Sequence, residues 1–465
     1  MLREKVKRVH FVGIGGIGMS GIAQILLEMG YEVSGSDIRE NKNTTTLKSK
    51  GAKIYIGHSP ENISEEVQVV VFSSAVREDN PEIMRASQLS IPIIPRGEML
   101  AELFKLKEGV AVSGSHGKTT TTSMVAHILE EAGFDPTVII GGILHRLGGN
   151  AKLGSGDLLV SEADESDGSF LKLSPVVSVV TNIDREHLDF YRDTEEIVSS
   201  FSRFISSVPF YGFSVVNGDD PLVRRAIRGT NKRVVSFGLS KGNDVMADEL
   251  KVEEGSYTFA VLLQGKKLGN VRLHIPGRHN VYNALASITV ALELGVDFRS
   301  IKNSLESFRN AERRMELKGY YQDVVPIYDD YGHHPTEIEA VITALREMYP
   351  ERRLLMVFQP HRYSRTHFLF EEFVRVLQLP DRVFLLDIFP ASEENIYGVS
   401  SERLARECGA LMVSKEELFE RITAELSDKD LLLFMGAGDI TSLCDSFLER
   451  FSSPLSEHLE HKSHQ

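Results

Sequence analysis

Twice in the first third of the chain, an apolar strand leads through a glycine loop into a helix. The first case is residues 8–28, where Gly13, Gly15 and Gly18 have the spacing G-x-G-x-x-G. The second is residues 108–131, where the loop reads GSHGKTTTT. A strand that enters a helix through a glycine loop is typical of α/β units with parallel strands covered by helices. The chain is therefore predicted to contain at least two such units.

The order of strands and helices along the 465 residues predicts three domains. Residues 1–107 are predicted to form an N-terminal Rossmann-like domain. Residues 108–309 predict a central P-loop mononucleotide-binding domain with a parallel sheet, to which short alternating strands in 231–275 add a small sheet. Residues 310–465 resume the alternation and predict a second Rossmann-like domain. The predicted fold class is therefore α/β with three domains.

Charge and composition exclude several classes of protein. The chain has 52 Lys and Arg against 66 Asp and Glu, a net charge of −14, which argues against bulk nucleic-acid or anionic-membrane binding. No apolar run approaches the ~18 residues of a membrane span. The two cysteines, Cys408 and Cys444, supply neither a disulfide framework nor a zinc cluster. The expected location is the cytoplasm, with no nucleic-acid or membrane partner.

The second glycine loop has the residue types that bind a nucleoside triphosphate. Backbone N–H groups at a helix start suit phosphate oxygens, a lysine there can reach the β- and γ-phosphates, and a threonine hydroxyl can bind Mg²⁺. The standard phosphate loop has glycine where this chain has Val112, so the motif is the shorter G-x-x-G-K-T. The predicted ATP-binding residues of the loop are Gly114, Ser115, His116, Gly117, Lys118, Thr119 and Thr120.

Polar clusters follow the next two apolar strands. SEADESD places four acids directly after a strand, and Glu162, the first of them, is the predicted Mg²⁺ ligand opposite Thr119. The other three acids are interpreted as a solvated turn. TNIDREHLDFY follows the next strand, and His187 is its candidate functional residue. Both clusters are expected at the edge of the sheet that carries the phosphate loop.

The last third of the chain supplies cations. FQPHRYSRT places His361, Arg362 and Arg365 after a strand, where guanidinium groups can bind a carboxylate or phosphate. Arg313 and Arg314 lie where the central domain meets the last one. The motif DDYGHHPTE adds Asp330, Tyr331, His333 and His334. These clusters predict a domain that closes over the nucleotide, in an enzyme that depends on ATP and Mg²⁺.

The first glycine loop leaves alternatives from other classes open. G-x-G-x-x-G followed by Asp37 at the end of the next strand is the layout of an NAD-binding unit, so an NAD-dependent dehydrogenase is one alternative. A non-catalytic nucleotide switch is another. A dehydrogenase would leave the second loop without a purpose, which favours the ATP-dependent enzyme.

The motifs resemble, in order, those of the bacterial muramyl ligases. They are GIGGIGMS, GSHGKTTTT, EADESD, HLD, GRHNVYNALA, ERRME, DDYGHHPTE and QPHRYSRT, and they span essentially the whole chain. The resemblance implies that ATP phosphorylates the lactyl carboxylate of UDP-N-acetylmuramic acid. The amine of L-alanine then attacks the acyl phosphate, and ADP and phosphate are released. A related muramyl ligase that adds a different amino acid or peptide is the alternative within the family.

The resemblance also implies a role for each motif residue. The implied catalytic residues are Lys118, Glu162, His187, Arg314 and His333. The implied Mg²⁺ ligands are Thr119, Glu162 and His187. Beyond the loop, the implied ATP contacts are Asn280, Asn283, Arg314 and Asp330. The implied UDP-sugar residues are Gly13, Gly15, Gly16, Gly18, Ser36, Asp37, Ser73 and Ser74. The implied muramyl and amino-acid residues are Tyr331, His333, His361, Arg362 and Arg365.

One departure from the family pattern concerns the second Mg²⁺. Several family members carry a carbamylated lysine beyond the HLD motif, whereas residues 184–211 contain no lysine here. The resemblance implies UDP-N-acetylmuramate and L-alanine as partners, a role in peptidoglycan precursor synthesis, and a monomer or weak homodimer. It leaves the selectivity among L-alanine, glycine and L-serine open.

Overall fold

The structure is a computed structural model, and it consists of three sheets with flanking helices. It describes residues 6–453 apart from 74, 78, 145–148, 188–189, 254, 311–312 and 392. The three sheets have five, ten and seven strands and follow one another along the chain. Most neighbouring strands are parallel, so the predicted three-domain α/β fold class is confirmed. Among the described helices, none combines the length and apolar character needed to cross a bilayer.

The first sheet is fully parallel, in the order β3-β2-β1-β4-β5. Its elements are β1 (Arg8–Val12), α1 (Ile17–Glu28), β2 (Glu32–Asp37), α2 (Lys42–Ser49), β3 (Lys53–Ile56), β4 (Val69–Phe72), α3 (Pro81–Gln88), β5 (Ile93–Pro95) and α4 (Arg96–Phe104). The strand order reverses between β1 and β4. Open α/β sheets bind ligands in the crevice at such a reversal, and the first glycine loop leaves β1 there.

The second sheet has ten strands in the order β15-β14-β13-β12-β11-β10-β6-β9-β7-β8. The elements of this part are β6 (Glu108–Ser113), α5 (Lys118–Glu131), β7 (Thr137–Leu144), β8 (Gly149–Lys152), β9 (Leu158–Glu162), β10 (Val177–Val180), α6 (Thr194–Ile205), β11 (Phe213–Asn217), α7 (Pro221–Ala226), β12 (Val234–Gly238), β13 (Val245–Glu253), β14 (Ser256–Leu263), β15 (Lys266–Leu273), α8 (Arg278–Glu293) and α9 (Phe298–Ser307). Strand β6 lies between β9 and β10, so the second glycine loop and both polar clusters meet at one edge.

The strands expected to form a small appended sheet belong instead to this ten-stranded sheet. Strand β12 is parallel to β11 and is part of the main parallel array. Strands β13, β14 and β15 form an antiparallel meander. The meander joins the array through a short parallel pairing, Phe237 with Val245 and Gly238 with Met246. The addition is therefore an extension of one sheet.

The third sheet has the order β20-β19-β18-β21-β17-β16-β22. Its elements are β16 (Glu316–Tyr321), β17 (Val325–Asp330), α10 (Pro335–Met348), β18 (Arg353–Phe358), α11 (Tyr363–Phe368), α12 (Phe370–Val376), β19 (Arg382–Leu385), α13 (Ser401–Cys408), β20 (Leu411–Met412), α14 (Leu418–Glu425), β21 (Asp430–Met435), α15 (Ile440–Phe451) and β22 (Ser452–Ser453). The strands from β20 to β17 are parallel, and their apolar side chains are buried under helices on both faces. Residues 359–365 leave β18 at the edge that faces the central sheet.

Candidate active site

The phosphate loop between β6 and α5 is built on two glycines with left-handed backbone. Gly114 has φ +133° and Gly117 has φ +81°. A Cβ on Gly117 would lie 2.4 Å from the side-chain oxygen of Asn283, so glycine is required there for space as well as for backbone angle. The backbone N–H of His116 donates to Asn182 Oδ1 at 2.8 Å and fixes the loop against the end of β10. The start of α5 thus faces an open concavity suited to phosphate.

Lys118 lies at the start of α5 and is held by one buried acid. Its Nζ donates to Gly114 O at 2.6 Å and to Glu165 Oε1 at 2.7 Å. Burial acts to lower the pKa of Lys118, but the carboxylates of Glu165, Glu186 and Asp164 together outweigh it and raise that pKa. Lys118 is therefore a fixed positive charge beside the phosphate loop.

Thr119 and Glu162 lie together, as the motif spacing predicts. The Thr119 side chain lies close enough to the Glu162 carboxylate to favour its charged form. Glu162 Oε1 accepts the N–H of Gly141 at 2.6 Å. Burial raises the pKa of Glu162 despite these contacts. A hydroxyl and a carboxylate side by side are hard oxygen donors, and this donor set fits Mg²⁺.

A second group of possible ligands surrounds His187. Its Nε2 lies 3.4 Å from Glu165 Oε1 and 3.8 Å from Glu186 Oε1, and one ligand atom from each of the three residues lies within 4.8 Å of the others. Glu165 Oε2 is buried and has no hydrogen-bond partner among the described residues. Two carboxylates and one imidazole can therefore hold a divalent cation. The sequence predicted His187 and missed both acids. Asp189 of the same motif lies outside the described residues.

Residues from the C-terminal sheet close over this group. Arg365 Nη2 donates to Glu186 Oε1 at 3.3 Å, and its Nη1 donates to Nδ1 of His361 at 3.2 Å. Burial lowers the pKa of His361 to about 3 and, together with the Arg365 charge, that of His333 to about 4. Both imidazoles are thus neutral at physiological pH. Arg362 lines the same small cleft, between Glu186 and α11.

A cavity of about 280 Å³ lies between the central and C-terminal sheets. Seven of the predicted ATP residues line the cavity, and six of them are His116, Gly117, Thr120, Asn280, Asn283 and Arg314. Asp330 also lines it, but its two carboxylate oxygens accept the backbone N–H groups of Met315 and Gly332, each at 2.7 Å. Three aromatic side chains that the sequence did not indicate complete the wall: Phe237, His279 and Tyr282. The cavity combines a flat apolar wall with amides, as a nucleoside site requires.

His116 connects the phosphate loop to the C-terminal domain. Its Nε2 donates to Asp184 Oδ2 at 3.0 Å, and its Nδ1 lies 3.6 Å from Glu337 Oε1. Thr336 Oγ1 donates to the same Asp184 oxygen at 2.7 Å. Burial alone would lower the pKa of His116, but these carboxylates raise it to about 10. The structure therefore places a charged imidazolium between the two domains.

This contact predicts a pH dependence of stability. The folded pKa of His116 is about 10 and its ordinary value is 6.5, so the stabilisation is complete below pH 6.5 and is lost as the pH rises towards 10. We expect the apparent Tm of the wild type to fall more steeply between pH 7 and pH 10 than that of His116→Gln. His127→Gln, on the helix α5 that follows the loop, is the control and should follow the wild type. Parallel curves for the wild type and His116→Gln would contradict the prediction.

The first glycine loop is tied down by the end of β2. The N–H of Gly15 donates to Asp37 Oδ2 at 2.8 Å, and Ser36 O accepts the N–H of Gly13 at 2.9 Å. The Ser36 side chain points away from the loop, because its hydroxyl donates to the buried Glu82 at 2.6 Å. Ser36 thus supports the loop and does not line it. Ser74, another predicted residue, lies outside the described residues.

A second cavity, of about 340 Å³, joins the two glycine loops. On one side it is lined by Gly16, Gly18 and Ser73, and on the other by Lys118 and Glu162. The cavity therefore offers a path from the first loop to the residues that surround the triphosphate position.

This arrangement defines a class: a three-domain nucleotide-binding α/β enzyme whose P-loop unit shares cavities with a Rossmann-like unit on each side. The chain belongs to the Mur ligase family. Residues 8–108 match the description "Mur ligase family, catalytic domain", residues 112–291 match "Mur ligase middle domain", and residues 313–438 match "Mur ligase, glutamate ligase domain". The resemblance found in the sequence motifs is confirmed.

Proteins of one name are similar to this chain over nearly its full length. The UDP-N-acetylmuramate–L-alanine ligase of Aquifex aeolicus (strain VF5) is 64% identical over 450 residues, 97% of this chain and 99% of that protein. The ligase of the same name from Hydrogenobaculum sp. (strain Y04AAS1) is 53% identical, over 95% of this chain and 98% of that protein. The crystal structure of UDP-N-acetylmuramate-alanine ligase from Thermotoga maritima has a TM-score of 0.82 at 32% identity, covering 95% of this chain and 98% of that one.

Proposed function

We propose that this protein joins L-alanine to the lactyl carboxylate of UDP-N-acetylmuramic acid at the expense of ATP, a step of peptidoglycan precursor synthesis. The observation that carries the proposal is the continuous cavity from the first glycine loop to Lys118 and Glu162. A sugar nucleotide held at the first glycine loop could place its acid group along this cavity, towards the phosphate loop. The names of the full-length relatives support the same reaction.

Each domain takes one substrate in this proposal. Residues 1–107 bind the uridine diphosphate through the first glycine loop, and residues 108–309 bind ATP between the phosphate loop and the 280 Å³ cavity. Residues 310–465 close over ATP with Arg314 and bind the amino acid. A glycine loop can bind the diphosphate of a sugar nucleotide as well as that of NAD, so the same loop serves in this role.

The first step is transfer of the γ-phosphoryl group of ATP to the lactyl carboxylate. Phosphoryl transfer requires positioning and charge neutralisation more than covalent help from the protein. Lys118 supplies a fixed positive charge beside the γ-phosphate, and Arg314 supplies another from the C-terminal side. Thr119 and Glu162 would hold one Mg²⁺, and Glu165, Glu186 and His187 would hold a second without the lysine of other family members. Mg²⁺ held by these residues would neutralise negative charge on the phosphate oxygens.

The second step is attack of the L-alanine amine on the acyl phosphate. The carboxylate of alanine pairs with the guanidinium groups of Arg362 and Arg365 at the cleft beside His187. The ammonium group must lose a proton before it attacks. The Nδ1–H of His333 donates to Tyr331 O at 3.1 Å, which leaves Nε2 with a free lone pair. Because the pKa of His333, about 4, is far below that of an ammonium group, the proton leaves to solvent. We assign Nε2 of His333 as the hydrogen-bond acceptor that orients the free amine for attack, after which the tetrahedral intermediate collapses to amide and phosphate.

The other hypotheses differ in observable ways. A dehydrogenase would use Asp37 for the ribose of NAD, but one Asp37 carboxylate oxygen already accepts the N–H of Gly15. A nucleotide switch would hydrolyse ATP at a rate that does not depend on the presence of an amino acid. A related muramyl ligase would use a different amino acid or a peptide as the acceptor.

A phosphate-release assay separates these hypotheses. We expect phosphate release to require ATP, UDP-N-acetylmuramate and L-alanine together. The acyl phosphate forms only when both nucleotides are bound, and it releases phosphate only when the amine of L-alanine attacks it. The amino-acid panel should contain L-alanine, glycine, L-serine, D-alanine and a murein tripeptide, with the product identified by mass spectrometry. Equal phosphate release without either co-substrate would contradict the ligase. Activity with the tripeptide alone would identify the related ligase instead.

A further inference from the structure

The cavity between the two glycine loops contains a cation that no motif indicated. Of the described residues that line it, Arg96 and Lys118 are the two with a positive charge. Lys118 belongs to the phosphate loop, whereas Arg96 belongs to the N-terminal domain and is the first residue of α4. The Arg96 side chain is 19% exposed and lines the cavity.

The sheet topology places Arg96 beside the first glycine loop. Arg96 directly follows β5, which pairs with β4, and β4 pairs with β1. The carboxyl ends of these three parallel strands lie at one edge, so Arg96, Ser73 and the loop after β1 share the crevice where the strand order reverses. Ligands of open α/β sheets bind in that crevice.

The guanidinium of Arg96 is held in place on two sides. Nη2 donates to Asp164 Oδ2 of the central domain at 2.9 Å. On the other side, Arg96 lies against the first turn of α1, where Cδ and Nη1 are each 3.2 Å from the position that a Cβ of Gly18 would occupy. Any larger residue at Gly18 would push the guanidinium away. Among the described residues, Nη1 and Nε make no hydrogen bond, so the remaining N–H groups of the fork are available to a ligand.

We infer that Arg96 binds the phosphate of a nucleoside diphosphate sugar that is nearest the sugar, while Asp164 holds the guanidinium in position. This inference rests on the proposed function, since it assumes that a sugar nucleotide occupies the first glycine loop. A planar guanidinium donates in parallel to two oxygens of one phosphate, and one edge of the group stays on Asp164. Glycine at position 18 then serves a second purpose, which is to leave room for Arg96.

A purely structural role for Arg96 makes a different prediction. The Arg96–Asp164 pair also links the N-terminal and central domains, and its loss could merely loosen that junction. A second ion pair of the same junction joins Lys172 of the central domain to Glu98 of α4 at 3.4 Å, and neither residue lines the cavity. Lys172→Ala is therefore the matched control, since it weakens the junction without touching the ligand path.

The test is binding of UDP-N-acetylmuramate, UDP and UMP by calorimetry, without ATP, to the wild type, Arg96→Ala, Arg96→Lys, Asp164→Asn and Lys172→Ala. We expect Arg96→Ala to weaken UDP and UDP-N-acetylmuramate by about 10- to 100-fold, which is typical for loss of a charged hydrogen-bonding partner. UMP should change less than about 3-fold because it lacks the second phosphate. Arg96→Lys should lose part of the affinity, Asp164→Asn about 3- to 10-fold, and Lys172→Ala almost none.

Three results would overturn the inference. The first is UDP affinity of Arg96→Ala equal to that of the wild type. The second is an equal loss of UDP affinity in Arg96→Ala and Lys172→Ala, and the third is an equal loss of affinity for UMP and UDP in Arg96→Ala. ATP affinity and the melting temperature of each variant show whether the protein is still folded. A wild type that binds UDP-N-acetylmuramate but releases no phosphate with L-alanine would contradict the proposed function alone, and the Arg96 comparison would still stand on the binding data.

Discussion

Lys118→Ala should lower kcat by at least about 10³-fold while the affinity for UDP-N-acetylmuramate stays within about 2-fold of the wild type. Lys118 is a fixed cation at the start of α5, bonded to Gly114 O and Glu165 Oε1. Its charge acts where negative charge develops during phosphoryl transfer. The other cation of the loop, His116, is bonded to Asp184 and links the two domains instead. The uridine diphosphate lies at the other glycine loop, so its binding does not depend on this charge.

The measurement is steady-state phosphate release together with calorimetric binding of the sugar nucleotide alone. Lys152→Ala, a lysine of the central domain that pairs with Glu130 and Asp135, is the matched control and should retain wild-type activity. A Lys118→Ala protein with kcat within 10-fold of the wild type would remove Lys118 from the chemistry. A large loss of sugar-nucleotide binding would contradict the assignment of the two loops to two ligands.

The parallel architecture was predictable because apolar strands alternate with amphipathic helices throughout the chain. The one misassigned feature, the small appended sheet, shows the limit of that pattern. Only Phe237 and Gly238 of β12 pair with β13. A sequence shows that strands are short and alternating, but two pairs of residues decide whether a meander forms its own sheet or extends an existing one.

The site was predictable where a residue follows a buried strand in a parallel sheet. Glu162 and His187 lie near the phosphate loop for this reason. Glu165 was not distinguishable from its acidic neighbours, because only the turn geometry after β9 directs it inward. The Ser36 hydroxyl donates to Glu82, because the alternation of side chains along β2 directs it away from the loop, and this too has no signal in the motif.

Contacts between domains have no local signal at all. The Arg365–Glu186 contact joins residues 179 positions apart, and the Thr336–Asp184 bond joins residues 152 apart. Neither partner stands in a pattern that identifies the other. Such pairs form when the C-terminal sheet docks on the central sheet. The geometry of that docking can be known only from the structure.

Glu165→Gln should lower kcat by about 10²-fold and raise the Mg²⁺ concentration needed for half-maximal activity. Glu165 is 3% exposed, and its Oε1 lies 2.7 Å from Lys118 Nζ and 3.4 Å from His187 Nε2. Burial lowers the pKa of His187, but Glu165 and Glu186 raise it above its ordinary value. Glutamine keeps the size of the side chain and removes the negative charge that holds both neighbours in place.

Asp167→Asn is the matched control for this substitution. Asp167 belongs to the same acidic turn, is exposed, and accepts the N–H of Ser169 at 2.9 Å. It should leave kcat and the Mg²⁺ requirement unchanged. The measurement is phosphate release over a range of Mg²⁺ concentrations, with thermal melting to show that each variant is folded. If both variants behave like the wild type, the buried acid has no part in the chemistry. If Glu165→Gln loses activity with an unchanged Mg²⁺ requirement, Glu165 positions Lys118 but does not hold the second metal ion.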